Sequence, residues 1–201
     1  MGNHQDRCLE FLEGKPSPLE YAEFLWGEIA GQELDREELE FALLDVLVQE
    51  WALSTGLDPK RCLGLLRHAE RGCDAADMII QLGLYPLSAV HYGLSCALVL
   101  DDPVRISRFL VAFERSSLFL KEMADDPRDR ETFQSIISAA LIGYCATDRF
   151  SEGRAVMAEF KQFAPTHALG LEEYRERVCA RLTAAEALEV RSFLMGDRTS
   201  S

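Results

Sequence analysis

Positive charge is scarce in this chain. Its 201 residues hold 21 Lys and Arg against 34 Asp and Glu, a formal net charge of −13. Nucleic-acid phosphates and anionic membranes repel such a surface, which sets both aside as partners. Paired cysteines are missing as well: Cys8, Cys62, Cys73, Cys96, Cys145 and Cys179 lie far apart with no CxxC. The opening Met1-Gly2-Asn3-His4-Gln5-Asp6 has neither a basic stretch nor an apolar one, and Asp6 stands where a myristoylation motif wants Ser or Thr. Reduced thiols and a cytoplasmic location are therefore expected. Long apolar runs are lacking too. The uncharged segment 78–100 is interrupted by Gln81, Gly83, Pro86, Ser88, His91, Gly93 and Ser95, which suits a buried helical hairpin better than a membrane span.

Catalytic signatures are equally sparse. There is no GxSxG elbow, no phosphate-cradling glycine loop and no Glu-x-x-His pair. Cys62, His68 and Cys73 are six and five residues apart, whereas ligands on one helix face need three or four. The turn Asp125-Asp126-Pro127-Arg128-Asp129 gathers carboxylates without the spacing of a calcium loop. No catalytic residue, metal ligand or cofactor is assigned on this basis.

Helix signals, by contrast, follow one another closely, and neither strand-like alternation nor an Asn-Gly or Asp-Gly hairpin turn interrupts them. Ser17-Pro18-Leu19-Glu20 combines a capping box with Pro at the first helical position, and Gly31 stops that helix. Its apolar stripe is Tyr21, Phe24, Leu25 and Ile29, with Glu20, Glu23 and Glu28 expected to face outward. Asp35 caps a second helix through Trp51, ending at Gly56. Being apolar nearly all round, it is expected at the centre. Asp58-Pro59 starts a helix that Arg71-Gly72 should end, and Asp74 then caps a shorter one stopped by Gly83. Pro86 opens an uncharged helix in which Ala89, Gly93 and Ala97 form a small-residue ridge for close helix approach. Asp102-Pro103 begins a helix through Phe109, Phe113 and Leu120, and further helices are expected at about 129–147, 151–163, 168–182 and 184–195.

These signals predict an all-α fold of about nine or ten helices, in one domain over 1–195 with a frayed tail at 196–201. The spacing of the breakers Gly31, Gly56, Gly83, Pro103, Pro127 and Pro165 suggests stacked antiparallel hairpins, as a solenoid or an irregular bundle. Within 134–167, Ile137, Ala140, Tyr144, the turn 148–153, Met157, Phe160 and Pro165 fall at tetratricopeptide spacing. The segment resembles one tetratricopeptide repeat, with Leu141, Gly153 and Phe160 departing from the family pattern. Pro86-Leu-Ser-Ala-Val-His-Tyr-Gly-Leu-Ser-Cys96-Ala97 also resembles a segment of small helical proteins found near bacterial secretion loci.

The acidity is concentrated. Residues 1–50 hold 13 acidic and 3 basic side chains, whereas 51–100 hold four of each. One reading is a pair of solvated amphipathic helices. The other is an acidic face for a basic partner, with Glu20, Glu23, Glu28, Glu37, Glu38 and Glu40 as contacts. Arg105, Arg108 and Arg115 share one helix face and suit an acidic surface, in this chain, across a homodimer or on a ligand. Two positions stand apart. Asp45 interrupts the most apolar run: it either reaches the surface through a gap or is paired inside, where an Arg partner would be a clamp and an unpaired carboxylate with a raised pKa a site candidate. His91, beside Tyr92, is either a hydrogen-bonded core residue or a pH-sensitive group.

Three functions follow in order. The first is a non-enzymatic adaptor or chaperone-like module, on the resemblances a bacterial secretion accessory, whose partner is another protein with a basic surface or an amphipathic segment. The second is an immunity protein covering a toxin with its acidic N-terminal face. The third is an enzyme with a dispersed helical site.

Overall fold

The structure, a computed structural model, describes residues 4–54, 62–83, 86–116 and 130–159. These form eight helices and no strand: α1 (His4–Glu13), α2 (Pro18–Gly31), α3 (Arg36–Ser54), α4 (Cys62–Leu82), α5 (Pro86–Leu100), α6 (Pro103–Arg115), α7 (Arg130–Ala146) and α8 (Phe150–Glu159). The fold is all-α. Among the described residues no helix is long and apolar enough to cross a membrane.

The helix starts follow the capping chemistry of the sequence. Ser17 Oγ accepts from the Glu20 backbone N–H at 3.3 Å while Glu20 Oε2 accepts from the Ser17 N–H at 2.8 Å, the reciprocal bonds of a capping box. Asp35 and Glu38 repeat the arrangement at α3, at 2.9 and 3.3 Å. Asp102 Oδ1 accepts from the N–H groups of Val104 and Arg105 at 3.0 and 3.1 Å, just before Pro103. Gly83 ends α4 in the left-handed conformation (φ +70°) that a residue with a side chain adopts at a cost.

The chain divides into two compact units, Met1–Leu100 and Asp101–Ser201. In the first, α3 is the hub, packing on α1, α2, α4 and α5. This is the central place expected of a helix that is apolar nearly all round. Consecutive helices pair from α1 to α5, and α3 also meets α1 and α5. Leu25, Leu43, Leu47, Ile79 and Leu94 are fully buried among these helices. The small-residue ridge of α5 lies against α4: Ala89 and Ala97 are fully buried, and Cys73 Sγ sits 3.7 Å from the Gly93 carbonyl oxygen.

Two expected boundaries are corrected. Arg71-Gly72 does not end a helix, because α4 runs unbroken from Cys62 to Leu82. Gly72 serves a close approach instead. A Cβ there would lie 2.6 Å from Cys96 Sγ and 3.5 Å from Glu50 Cβ, so glycine lets α3, α4 and α5 meet at one point. Gly72→Ala should therefore destabilise the chain by about 1–3 kcal/mol, although alanine in place of glycine usually favours a helix. Adding Cys96→Ala should return most of the loss. Urea denaturation of both variants checks this, and an unchanged or raised stability for Gly72→Ala alone refutes the close-approach reading. The second correction is α6, which ends at Arg115 with Ser116 as its cap rather than running to Leu120.

In the second unit α6 packs on α7, and α7 on α8. Ile106, Phe109, Leu110, Phe133, Ile136 and Tyr144 fill its core. The α7–α8 turn is closed by Arg149 N–H donating to the Tyr144 carbonyl at 2.8 Å. Gly153 brings α8 onto Tyr144, whose Cβ would be 3.3 Å from an added Cβ. The segment that resembles a tetratricopeptide repeat is thus a helical hairpin as far as Glu159, and Phe160 and Pro165 lie outside the described residues. So do Gly56, Asp58-Pro59, the turn 125–129, the helices expected at 168–182 and 184–195, and the tail 196–201.

Candidate functional site

The first unit carries a charged cluster that the sequence did not single out. Glu50 on α3 is fully buried, and a bare carboxylate in that place would be very costly. Three donors from two other helices meet it. Trp26 Nε1–H on α2 donates to Oε1 at 2.8 Å, Arg71 Nε on α4 lies 2.9 Å from the same oxygen, and His68 Nδ1 sits 2.6 Å from Oε2. Arg71 also pairs with Glu23 and lies over the Trp26 ring at 5.3 Å. Arg71's hydrogen bond holds the Glu23 carboxyl below its ordinary range. One carboxylate thereby fixes α2, α3 and α4 together.

The Arg clamp weighed for Asp45 is thus found on Glu50. Asp45 is neither buried nor ion-paired in the core. It is exposed, and it accepts from the Tyr21 hydroxyl at 3.3 Å.

A second clamp holds α1. Glu28, expected to face outward, is corrected to a buried position. Its Oε2 lies 2.5 Å from Arg7 Nε and 3.5 Å from His4 Nδ1, while the His4 backbone N–H donates to Glu38 at 3.0 Å. Cys8 Sγ lies 3.4 Å from His4 Nε2. The order thiol, imidazole, carboxylate is that of a nucleophile relay. Burial, however, pushes the Cys8 thiol up, and Arg7 occupies the same Glu28 oxygen, so these contacts anchor a helix. Cys96 is likewise a buried thiol, pushed up to about 12.

The remaining expected contacts divide by what they already do. Glu20 is engaged in its cap, Glu23 by Arg71, and Glu38 by the Asp35 N–H and His4. Glu37 is exposed and Glu40 half-buried, and neither has an ion pair among the described residues. In the second unit Arg105 lies 3.8 Å from Asp102, and Arg108 and Arg115 are exposed. For the metal reading, His68 faces Glu50 and Cys73 faces the Gly93 carbonyl. No group of His, Cys, Asp and Glu among the described residues is arranged to hold a metal ion.

Leu9, Leu12, Leu19, Phe41 and Leu66 are the exposed large apolar side chains among the unit's described residues, and Phe41 belongs to a strip on α3. Its core side is Ala42, Leu43, Val46, Leu47 and Glu50. On the opposite side Phe41, Leu44 and Val48 recur at the i, i+3, i+7 spacing of one helix face. Phe41 is 43% exposed, and Leu44 and Val48 are half-buried. Trp51 continues the strip and touches α5, its ring 4.9 Å from that of Tyr92 and 6.1 Å from that of His91. All three rings are half-buried. Desolvation holds the His91 imidazole down at about 4, so it is neutral near pH 7. Its contacts in the cluster are aromatic, with rings 4.7 Å apart at Tyr92.

Periodicity alone does not find this strip, because every face of α3 looks apolar. Lone carboxylates at Glu37, Glu40 and Asp45 around Phe41 were the available signal. Compared with protein families, curated proteins and solved structures, the chain matches none.

Proposed function

We propose that this chain is a protein-binding module, an adaptor or chaperone-like accessory protein that holds a partner on the α3/α5 face of its first unit. The observation that carries the reading is the second apolar side of α3. Phe41 stands exposed there, Leu44 and Val48 are half-buried, Trp51 packs on α5, and Glu37 and Glu40, with no ion pair among the described residues, border the strip. Apolar patches with a polar rim mark interaction sites, since burying them on a partner removes apolar area from water. The clamps at Glu50 and Glu28 support the reading from behind. They fix α1 to α4 by buried ion pairs, which gives a preorganised surface that loses little entropy on binding. The resemblance of 86–97 to proteins near secretion loci favours a secretion accessory within this class.

The toxin-neutralising alternative rests on the charge of residues 1–50. Its acidic face is reduced by Glu28, Glu23, Glu20 and Glu38, which are used inside the chain. An apolar strip with an acidic rim fits an adaptor better than a purely electrostatic plug.

The test places a photo-crosslinking amino acid at Phe41 and, as a control, at Leu66 on α4, which is equally exposed at 43%. A discrete protein adduct from position 41 that is missing from position 66, and that Trp51→Asp reduces at least tenfold, is the expected result. Equal labelling from both positions, or none from position 41, ends the proposal.

A further inference from the structure

We infer that the occupant of the α3/α5 face is a basic amphipathic helix of about four turns. It lies with its cationic end over Glu37 and Glu40 and its uncharged end against Trp51, His91 and Tyr92. This rests on the protein-binding reading and adds the occupant's chemistry and direction.

The choice of a helix follows from what the face lacks. The strip is made of side chains on helices whose backbone N–H and C=O groups are already paired within the helix, so it offers an extended peptide no backbone to pair with. A segment buried on apolar side chains must then satisfy its own backbone, which a helix does. From position 37 to position 51 the face runs about 21 Å along α3, the length of about four helical turns.

The choice of charge follows from what is left unpaired. Among the described residues Glu37 and Glu40 have no ion pair, and they stand at the N-terminal end of the strip. At the other end the three rings carry no charge near pH 7. A cation seated over Glu37 and Glu40 gains from both carboxylates, whereas one seated among the rings meets aromatic faces but no counter-charge. Residues 1–50 of a second copy are a poor occupant, since they would bring another 13 acidic and 3 basic side chains.

The experiment uses the full chain and three synthetic helical peptides with the same leucine-rich face. One carries its Lys and Arg at a single end, one carries them spread evenly, and one carries Glu in their place. Binding is read by tryptophan fluorescence, with Trp51→Phe as the control that leaves Trp26 in place. Each end of the peptide bears a photo-crosslinker mapped by mass spectrometry. The end-loaded peptide should bind best, with its cationic end joined to residues around 37–41 and its other end to residues around 91–92. Glu37→Lys with Glu40→Lys should weaken it at least tenfold. Equal affinity for the acidic peptide, scattered cross-links, or joining of position 41 to residues 160–201 of the same chain would each overturn the inference. If no peptide binds while position 41 still captures a partner protein, the direction and charge fall and the protein-binding reading stands. If neither occurs, both fall.

Discussion

Glu50→Gln should cost about 3–5 kcal/mol of unfolding free energy, the range found when one member of a buried charge cluster is removed. Both carboxylate oxygens are in use. Oε1 takes the Trp26 N–H and the Arg71 Nε, and Oε2 faces His68 at 2.6 Å. An amide keeps the volume but offers only one oxygen, so its NH2 must point at one of these donors whichever way it is turned. Arg71 and His68, with side chains 16% and 14% exposed, recover part of the loss through water, which places the value toward the lower end of the range. Arg71→Met should cost at least as much, about 3–5 kcal/mol, because it leaves the fully buried Glu50 carboxylate its hydrogen bonds but not the guanidinium's charge. Urea denaturation gives both values. A loss below about 1 kcal/mol for Glu50→Gln would mean that the cluster contributes little to holding α2, α3 and α4.

The contrast with an apolar replacement is informative. A buried ion cluster is often no more stabilising than well-packed hydrophobic side chains of the same volume. What it supplies here is register. Trp26, Glu50, His68 and Arg71 meet only when three helices stand at one relative height, whereas an apolar contact tolerates sliding. The Glu28 clamp does the same for α1. Helices fixed in this way, with Phe41 exposed on α3, suit the proposed docking surface.

Local chemistry was legible in the sequence, and long-range chemistry was not. Ser17, Asp35, Gly83 and Asp102 announce helix ends because a cap bonds to backbone within three residues of itself. Gly72 carries the same letter as Gly83 and was read as a stop. Its role depends on Cys96 and Glu50, which lie 24 and 22 positions away, so a pattern read within one helix does not contain it. Asp45 and Glu50 both interrupt the apolar run of α3. Periodicity separates them only if the core side is known, and a helix apolar nearly all round conceals it. Had α3 been assigned its buried side from Ala42, Leu43, Val46 and Leu47, Glu50 would have fallen inside and Asp45 outside. Glu28 escaped for a related reason. It sits one turn after Phe24 and Leu25, and only the docking of α1, with Arg7 and His4, covers it.

Acid should loosen the chain through His91. The folded state holds this imidazole at about 4, below its ordinary 6.5, through desolvation beside Trp51 and Tyr92. Between those values the unfolded chain takes up a proton that the folded chain refuses, so stability falls as the pH drops through 6.5 and levels off below 4. The full difference is about 3 kcal/mol, of which about 2 kcal/mol is gone by pH 5. Carboxylates protonating over the same range add their own slope, and the comparison with His91→Gln removes it. The parent should lose about 2 kcal/mol more than this variant between pH 7.5 and pH 5, as measured by urea midpoints with an unchanged m-value. Parallel pH profiles for the two proteins would show that the ring is as well hydrated when folded as when unfolded.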